Sequence, residues 1–428
     1  MKLKGLWNDS NFLKFWAGET LSLVGGQITI IALPLLAINI LKASPGELGV
    51  LGAMQFAPYL FFGLFAGVMV DRLKRRPLMI IADICRALLL ISIPAGVWFD
   101  FLSMEQLYLV GFFTGVFSLF FDIAYQSYLP TLVGKDKISE GNSKLQASGS
   151  ISQVAGPSIG GLLVDFLTAP FAILFDALSF LVSAIFLKAI KIKEEKVVST
   201  SEKKNIWNEI GEGLSFVFKS NFLRPIAMCT GISNFFGRIL FTVFIIYLSV
   251  NLNFSATTIG LIFGIASVGA FVGALLANHI VKMLGLGKTI TFSILFGNSS
   301  LLLIPLTDDN SILSILFLLA SQFFWGMANP IYNISQVSFR QSYTPSHLLG
   351  RMNASMRTLV WGTVPLGYLA GGFLGETVGI KNAIIIGGFG GLLPFLFVLF
   401  SPVFKLNSIE DVLEKQKESI EGEKIVST

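Results

Sequence analysis

Residues 191–221 read KIKEEKVVSTSEKKNIWNEIGEGLSFVFKSN, the one long polar stretch in the interior of a chain that is otherwise strongly apolar. Before it, apolar stretches bounded by charge or by Pro, Gly and Asn clusters run over roughly 11–40, 46–70, 77–99, 106–130, 145–168 and 170–190. After it they run over roughly 223–250, 256–278, 288–306, 312–336, 352–375 and 380–404. Each is long enough to cross a hydrocarbon core, which takes about 20 helical residues. The spacing predicts an all-α membrane protein of twelve transmembrane helices in two six-helix bundles, 1–190 and 223–404. A linker over 191–222 joins the bundles and a charged tail follows over 405–428. Within the linker, Ile206, Trp207, Ile210, Leu214, Val217 and Phe218 recur at helical spacing between polar residues, which predicts an amphipathic helix lying at the inner membrane surface.

Composition points the same way. Of 428 residues, 53% are hydrophobic and 13% charged, with a mean hydropathy of +0.73. A soluble domain is about one quarter charged, so a soluble globule, a nucleic-acid binder and a disordered chain are excluded. The two cysteines, Cys85 and Cys229, sit far apart inside apolar runs and read as core residues. The N-terminal MKLKGLWNDSNFLKFW lacks a short apolar core with a small-residue cleavage site, so no cleavable signal is predicted.

The net charge of +5 is distributed by loop. With a cytoplasmic N-terminus, the inner connections hold Arg72, Lys74, Arg75, Arg76, Lys135, Lys137, the lysines of 188–204, Lys282, Lys288, Arg340 and Arg351. The outer ones hold Lys42 and Lys381 beside Asp100, Glu105, Asp308 and Asp309. Lysine and arginine concentrate on the cytoplasmic side, so the alternation predicts an even number of spans and two cytoplasmic termini. The halves also echo each other. YQSYLP (Tyr125 to Pro130) ends the fourth span and RQSYTP (Arg340 to Pro345) follows the tenth. Gly156-Pro157, Gly160-Gly161 and Asp165 then find counterparts in Pro365, Gly371-Gly372 and Glu376, which reads as an internal duplication.

Ionisable residues inside spans cost several kcal/mol and are functional candidates by default. Glu19, Asp83, Arg86, Asp122, Asp176 and Arg238 are such residues. Glu19 lies roughly 12 Å into the first span at about 1.5 Å per residue. Desolvation disfavours a charged carboxyl, so Glu19 is the candidate proton carrier; the competing reading is a carboxylate permanently paired for packing. Arg238 keeps its charge and suits either an anionic cargo or an ion pair with Glu19. Asp83, Arg86 and Asp122 fall near the inner ends of adjacent spans and read as a mutually satisfied structural or gating cluster. Asp165, Asp176 and Glu376 lie nearer the outer side and read as caps or gate partners.

The connection after the second span reads GVMVDRLKRR (Gly67 to Arg76). It resembles the signature loop of the major facilitator superfamily at the same place, carried here by Gly67, Asp71, Arg72, Arg75 and Arg76. Lys74 stands where that family has glycine, which puts the tight turn in question. Further blocks, FWAGETLS (Phe15 to Ser22), GVFSLFFDIAYQSYLPTLV (Gly115 to Val133), FDALSFLVSA (Phe175 to Ala184) and LLGRMNASMRTLVWGTVPLGYLAGG (Leu348 to Gly372), resemble the macrolide-efflux and enterobactin-exporter-like branch. GPSIGG, with Gly156, Pro157, Gly160 and Gly161, resembles the tail of the superfamily's antiporter motif; close helix packing is its other reading.

The resemblance implies two bundles around a central cavity lined by the first, fourth, seventh and tenth spans. On those spans stand Glu19, Asp122, Gln126, Asn234, Arg238, Gln322, Trp325, Asn329 and Asn333. The expectation is a proton-coupled exporter of an amphipathic small molecule, working as a monomer in the cell membrane. No cofactor and no nucleic acid are expected, and sodium stays open as the coupling ion. Export of a siderophore or other endogenous metabolite is the alternative, and a non-transporting scaffold or receptor the remote one. No nucleophile–base or metal-ligand spacing indicates an intramembrane enzyme.

Overall fold

A computed structural model describes residues 5–192, 194, 206–345 and 348–408. The first half holds α1 (Ser10–Asn39), α2 (Pro45–Arg72), α3 (Arg75–Trp98), α4 (Met104–Val133), α5 (Ile138–Leu167) and α6 (Ala169–Lys188). The linker contributes α7 (Ile206–Lys219). The second half holds α8 (Leu223–Ile246), α9 (Ala256–Leu284), α10 (Leu286–Ser300), α11 (Ile312–Tyr343), α12 (Leu349–Trp361), α13 (Thr363–Thr377), α14 (Ile380–Gly390) and α15 (Pro394–Leu399). Among the described residues nine rods are by themselves long and apolar enough to span a membrane. With α2, α5 and the α12–α13 rod there are twelve, the number read from the apolar stretches.

Three spans of the second half are broken, which an apolar count does not reveal. The ninth span turns from α10 into a 3-10 segment, Leu301–Leu306, around Pro305. The eleventh is interrupted at Gly362 and the twelfth between Gly390 and Pro394. Freed backbone groups in an apolar medium need partners. Asn298 on α10 donates to the Gly391 carbonyl at 2.5 Å, and Asn234 on α8 donates to the Val360 carbonyl at 3.1 Å. Thr363 donates to the Gly231 carbonyl at 2.9 Å.

The chain divides into two compact units: Met1–Ser201 with Phe241–Gly264 and Tyr368–Ile380, and Glu202–Leu240 with Ile265–Gly367 and Lys381–Thr428. In the first, α6 packs on α1 and α3, and α4 on α2 and α3. Helix α1 turns Gly18 and Gly25 toward α6; a Cβ added at Gly25 would lie 2.4 Å from an Asp176 oxygen. Phe12, Phe15, Met79, Phe121 and Tyr128 form its core. In the second unit α10 packs on α11 and α15, and α7 on α12. Its core includes Val217, Leu223, Cys229, Phe339 and Met352. Large apolar side chains left exposed, among them Phe61, Leu88, Phe166, Phe271, Phe373 and Phe389, suit lipid contact.

The expected amphipathic linker helix is α7. The side chains of Ile206, Trp207 and Ile210 lie outside the described residues, and Glu212 pairs with Arg351 of α12 at 2.5 Å. Of the tail, residues 409–428 lie outside the description; Leu406 and Asn407 accept backbone hydrogen bonds from Gly287 and Leu286 at 2.8 and 2.9 Å.

Candidate functional site

Glu19 lies ten residues into α1, on a helix whose neighbouring turns are tied down. Trp16 donates its indole N–H to the Ser148 hydroxyl at 2.7 Å, and Thr20 donates to the Trp16 carbonyl at 2.7 Å. The Glu19 carboxylate itself makes no hydrogen bond or ion pair with a described residue. It is within electrostatic range of Arg86, Asp83 and Asp122, and Tyr125 senses it as well.

Arg86 is held tightly. Its Nη2 lies 2.5 Å from Asp83 Oδ1, its Nη1 donates to Ser118 at 3.4 Å, and its guanidinium carbon sits 4.3 Å and 4.1 Å from the Phe121 and Phe180 ring centroids. Asp83 is fully buried and Arg86 is 5% exposed. Two flanking aromatic faces favour a desolvated cation. Among the described residues, Arg86 Nε and Asp83 Oδ2 have no hydrogen-bond partner. The expected trio therefore divides. Asp83 and Arg86 pair with each other, about 16 Å into the 24-residue α3 for Arg86 and so at its middle, not near its inner end. Asp122 accepts instead from the Tyr59 hydroxyl at 3.0 Å. Asp176 accepts from Thr29, with Ser179 beside it at 3.4 Å, in the α1–α6 seam.

In the second unit, α11 carries a polar ladder. Asn333 donates to Asn329 at 2.6 Å and Gln336 donates to Asn333 at 3.3 Å. Asn329 and Asn333 are exposed near the middle of a 32-residue span, while Gln322 is buried and Trp325 partly buried. An amide exposed at that depth is expensive against lipid, so it suits a water-filled surface. Gln126 is likewise exposed, on α4. Asn234 is engaged with the broken α12–α13 rod, and Arg238 packs near Gly367, where an added Cβ would come within 2.8 Å of its Cβ.

The GVMVDRLKRR connection is a junction of helix ends. Arg76 donates from Nε to the Leu187 carbonyl at 2.8 Å and from Nη2 to the Lys188 carbonyl at 2.6 Å, at the C-terminus of α6. Glu194 accepts from the Arg75 and Arg76 backbone N–H groups at 2.8 and 3.2 Å, at the N-terminus of α3. Each charge meets the helix end of opposite partial charge. Lys74 has φ −69° and ψ 124°, an extended geometry open to any residue, so the missing glycine imposes no strain. Gly67 has open space where a Cβ would stand, Arg72 is exposed, and the Asp71 side chain lies outside the described residues. In α5, a Cβ at Gly156 would lie 2.3 Å from Gln27 Cβ, one at Gly160 3.0 Å from Ile28 Cα, and one at Gly161 2.2 Å from the Ala256 carbonyl oxygen. Every glycine of GPSIGG is thus a close helix approach, and Pro157 stands within the same helix.

The sequence reading missed the Glu19–Arg86 proximity, the Tyr59–Asp122 bond and the role of Glu194. Hydropathy places a residue in depth but does not give its rotation about the helix axis, and Glu194 lay in what read as a plain linker.

The family described as Major Facilitator Superfamily matches residues 15–359 and 226–425. The chain is 24% identical over 389 residues to the multidrug efflux pump Tap of Mycolicibacterium fortuitum, covering 88% of this chain and 92% of that protein. It is 22% identical over 382 residues to macrolide efflux protein A of Streptococcus pyogenes, again covering 88% and 92%. A crystal structure of a bacterial homologue of the iron transporter ferroportin, in an inward-facing state, superposes with a TM-score of 0.74 at 16% identity, over 92% of this chain and 99% of that one. The nucleoside transporter NupG superposes with a TM-score of 0.72 at 14% identity, over 91% and 98%. At those identities the likeness is one of fold.

Proposed function

The chain belongs to the Major Facilitator Superfamily, and from that premise we propose that it is a secondary active exporter, driven by the proton gradient, of a hydrophobic or amphipathic small molecule. The observation that carries this reading is Glu19: a carboxylate inside a spanning helix, without a hydrogen bond or ion pair from any described residue, within electrostatic range of an arginine already held by Asp83. An unpaired carboxyl in an apolar medium is suited to take up a proton and give it back. Cargo then meets polar side chains set among apolar ones on spanning helices of each unit, Gln126 on α4 of the first and Trp325, Asn329 and Asn333 on α11 of the second. The functions of the two relatives, multidrug and macrolide efflux, favour bulky drugs as the cargo class. Arg238 stands on α8 one turn beyond Asn234, and the buried Gln322 on α11 two turns before Asn329.

The two six-helix halves exchange access by rocking against each other, as transporters built from two repeats do. In the cell membrane both termini face the cytoplasm, consistent with the lysine and arginine distribution. A single chain suffices for this cycle.

The test is accumulation of macrolides, dyes and siderophores in an efflux-deficient bacterium expressing the chain, with and without a protonophore. Lower accumulation that the protonophore abolishes is expected for the drugs. Lower accumulation of siderophores alone would replace the drug reading with export of an endogenous metabolite. No response from protein present in the membrane would overturn drug export.

A further inference from the structure

Two helix starts in the first unit are gripped by carboxylates that arrive from distant parts of the sequence. Asp165, near the end of α5, accepts at Oδ1 from the Ala256 N–H at 3.0 Å and at Oδ2 from the Thr257 N–H at 2.8 Å, on the first turn of α9. Glu376, near the end of α13, accepts at Oε1 from the Gly46 N–H at 3.1 Å and from the Ser44 hydroxyl at 2.6 Å, at the start of α2. The first N–H groups of a helix lack intrahelical partners and carry its positive partial charge, so a carboxylate there is well placed.

The two grips are copies of one another. Asp165 and Glu376 are separated by 211 residues (376 − 165), and the same offset relates Ser44 to Ser255, Gly49 to Gly260, Pro45 to Ala256, Gly161 to Gly372 and Pro157 to Tyr368, which corrects the match of Pro157 with Pro365. The close approaches repeat in the same register. A Cβ on Gly260 would lie 2.4 Å from the Pro157 carbonyl oxygen, and one on Gly49 2.6 Å from the Tyr368 carbonyl oxygen. One on Gly161 would lie 2.2 Å from the Ala256 carbonyl oxygen, and one on Gly372 2.8 Å from that of Pro45. Beyond each carboxylate the chain leaves its helix through a positive φ, 83° at Thr168 and 86° at Gly379.

Neither helix needs the carboxylate to begin. Ser44 caps α2 by accepting from the Glu47 N–H at 3.2 Å, while Glu47 accepts from the Ser44 N–H at 2.7 Å. Ser255 accepts from the Thr258 N–H at 3.2 Å. The local caps persist if the carboxylates withdraw, so what each carboxylate adds is a bond between two helices, one that breaks without unravelling either.

We propose that Asp165 and Glu376 are a matched pair of positioning residues for the transport cycle: they hold shut the face of the protein at which α1 ends, and both must let go of α9 and α2 for that face to open. This rests on the reading of the chain as an alternating-access transporter.

The test measures distance and not cargo. In full-length protein with Cys85 and Cys229 replaced by serine, reconstituted in lipid, spin labels at Phe166 and Val250 report the α5–α9 grip, and labels at Ile40 and Val378 the α2–α13 grip. Asp165→Ala with Glu376→Ala should move both pairs into a longer-distance population, whereas Asp165→Asn, which keeps one of the two acceptor oxygens and loses the charge, should move its pair only part of the way. Glu376→Ala alone, at an exposed position tolerant of change, should shift only the balance between short and long distances at Ile40 and Val378 while the other pair stays less affected. Distances unchanged in both alanine variants would overturn the proposal even if transport were intact. Distances that respond in a protein that moves no cargo would leave the grips standing and overturn the transport reading instead.

Discussion

Asp83 Oδ1 lies 2.5 Å from Nη2 of Arg86, one turn further along α3, and the guanidinium so held is enclosed by the rings of Phe121 and Phe180. A buried pair costs desolvation to form but more to break, because removing one partner strands the other charge; the penalty is about 3–5 kcal/mol. Asp83→Ala should therefore lower the melting temperature of the purified protein sharply, and Asp83→Ala with Arg86→Met should recover most of the loss. A double variant no more stable than the single one would show that the pair is not the source of the effect.

Glu19→Gln keeps the shape of the side chain and removes its proton exchange. Protonophore-sensitive export should be lost while drug binding to the purified protein persists. Wild-type pH dependence of export in this variant would remove Glu19 from the coupling step.

Helices α9 and α11 meet through glycine. A Cβ on Gly326 would stand 1.9 Å from the Ala266 carbonyl oxygen, whereas Gly237 on α8 has open space around the same position. Gly326→Ala should destabilise by about 1–3 kcal/mol through overpacking, and Gly237→Ala should be neutral or stabilising because alanine favours helix by roughly 0.8–1.0 kcal/mol. Thermal melts of the two variants check this, and equal responses would refute the assigned close approach.

At the N-terminal edge, the Leu6 N–H donates to Glu140 at 2.9 Å, and Lys144 lies 3.3 Å from the same carboxylate. The backbone hydrogen bond first, and the lysine second, hold the Glu140 carboxyl below its usual 4.5. A carboxyl depressed by folding stabilises above its unfolded value, and that contribution is lost as pH falls through the lower folded value. Docking of the Gly5–Asn8 turn should accordingly weaken only below about pH 4.5. Trp7, 5.0 Å from Trp16 and beneath the Lys144 ammonium, provides the fluorescence readout. Glu140→Gln should abolish the acid transition.

The spans were legible because a run of about 20 apolar residues has few other uses in a chain, and the loop charges fixed their parity. What was not legible is angular. Glu19 was weighed against Arg238 as its partner, since both stand on helices of the expected cavity. The structure instead brings Arg86 of α3 within its electrostatic range. The breaks at Gly362 and between Gly390 and Pro394 were hidden because an interrupted rod has the same hydropathy as a continuous one. Asn234, which donates beside the first break, read in the sequence as a residue of the expected cavity, and nothing in the sequence singled out Asn298, which donates at the second. By contrast the loose echo of Asp165 in Glu376 held in three dimensions, because both carboxylates found helix starts to cap.

Those two caps are reciprocal. The carboxylate of the first half binds a helix of the second, and the carboxylate of the second half binds the matching helix of the first. Two identical six-helix chains meeting about a twofold axis would make both contacts with one carboxylate and one serine-capped helix start, the self-complementary geometry of an isologous dimer. Fusing such a dimer into one polypeptide frees the two copies to diverge. Aspartate at 165 and glutamate at 376, alanine and threonine after the serine of one helix start and proline and glycine after the serine of the other, are the form that divergence has taken at this contact.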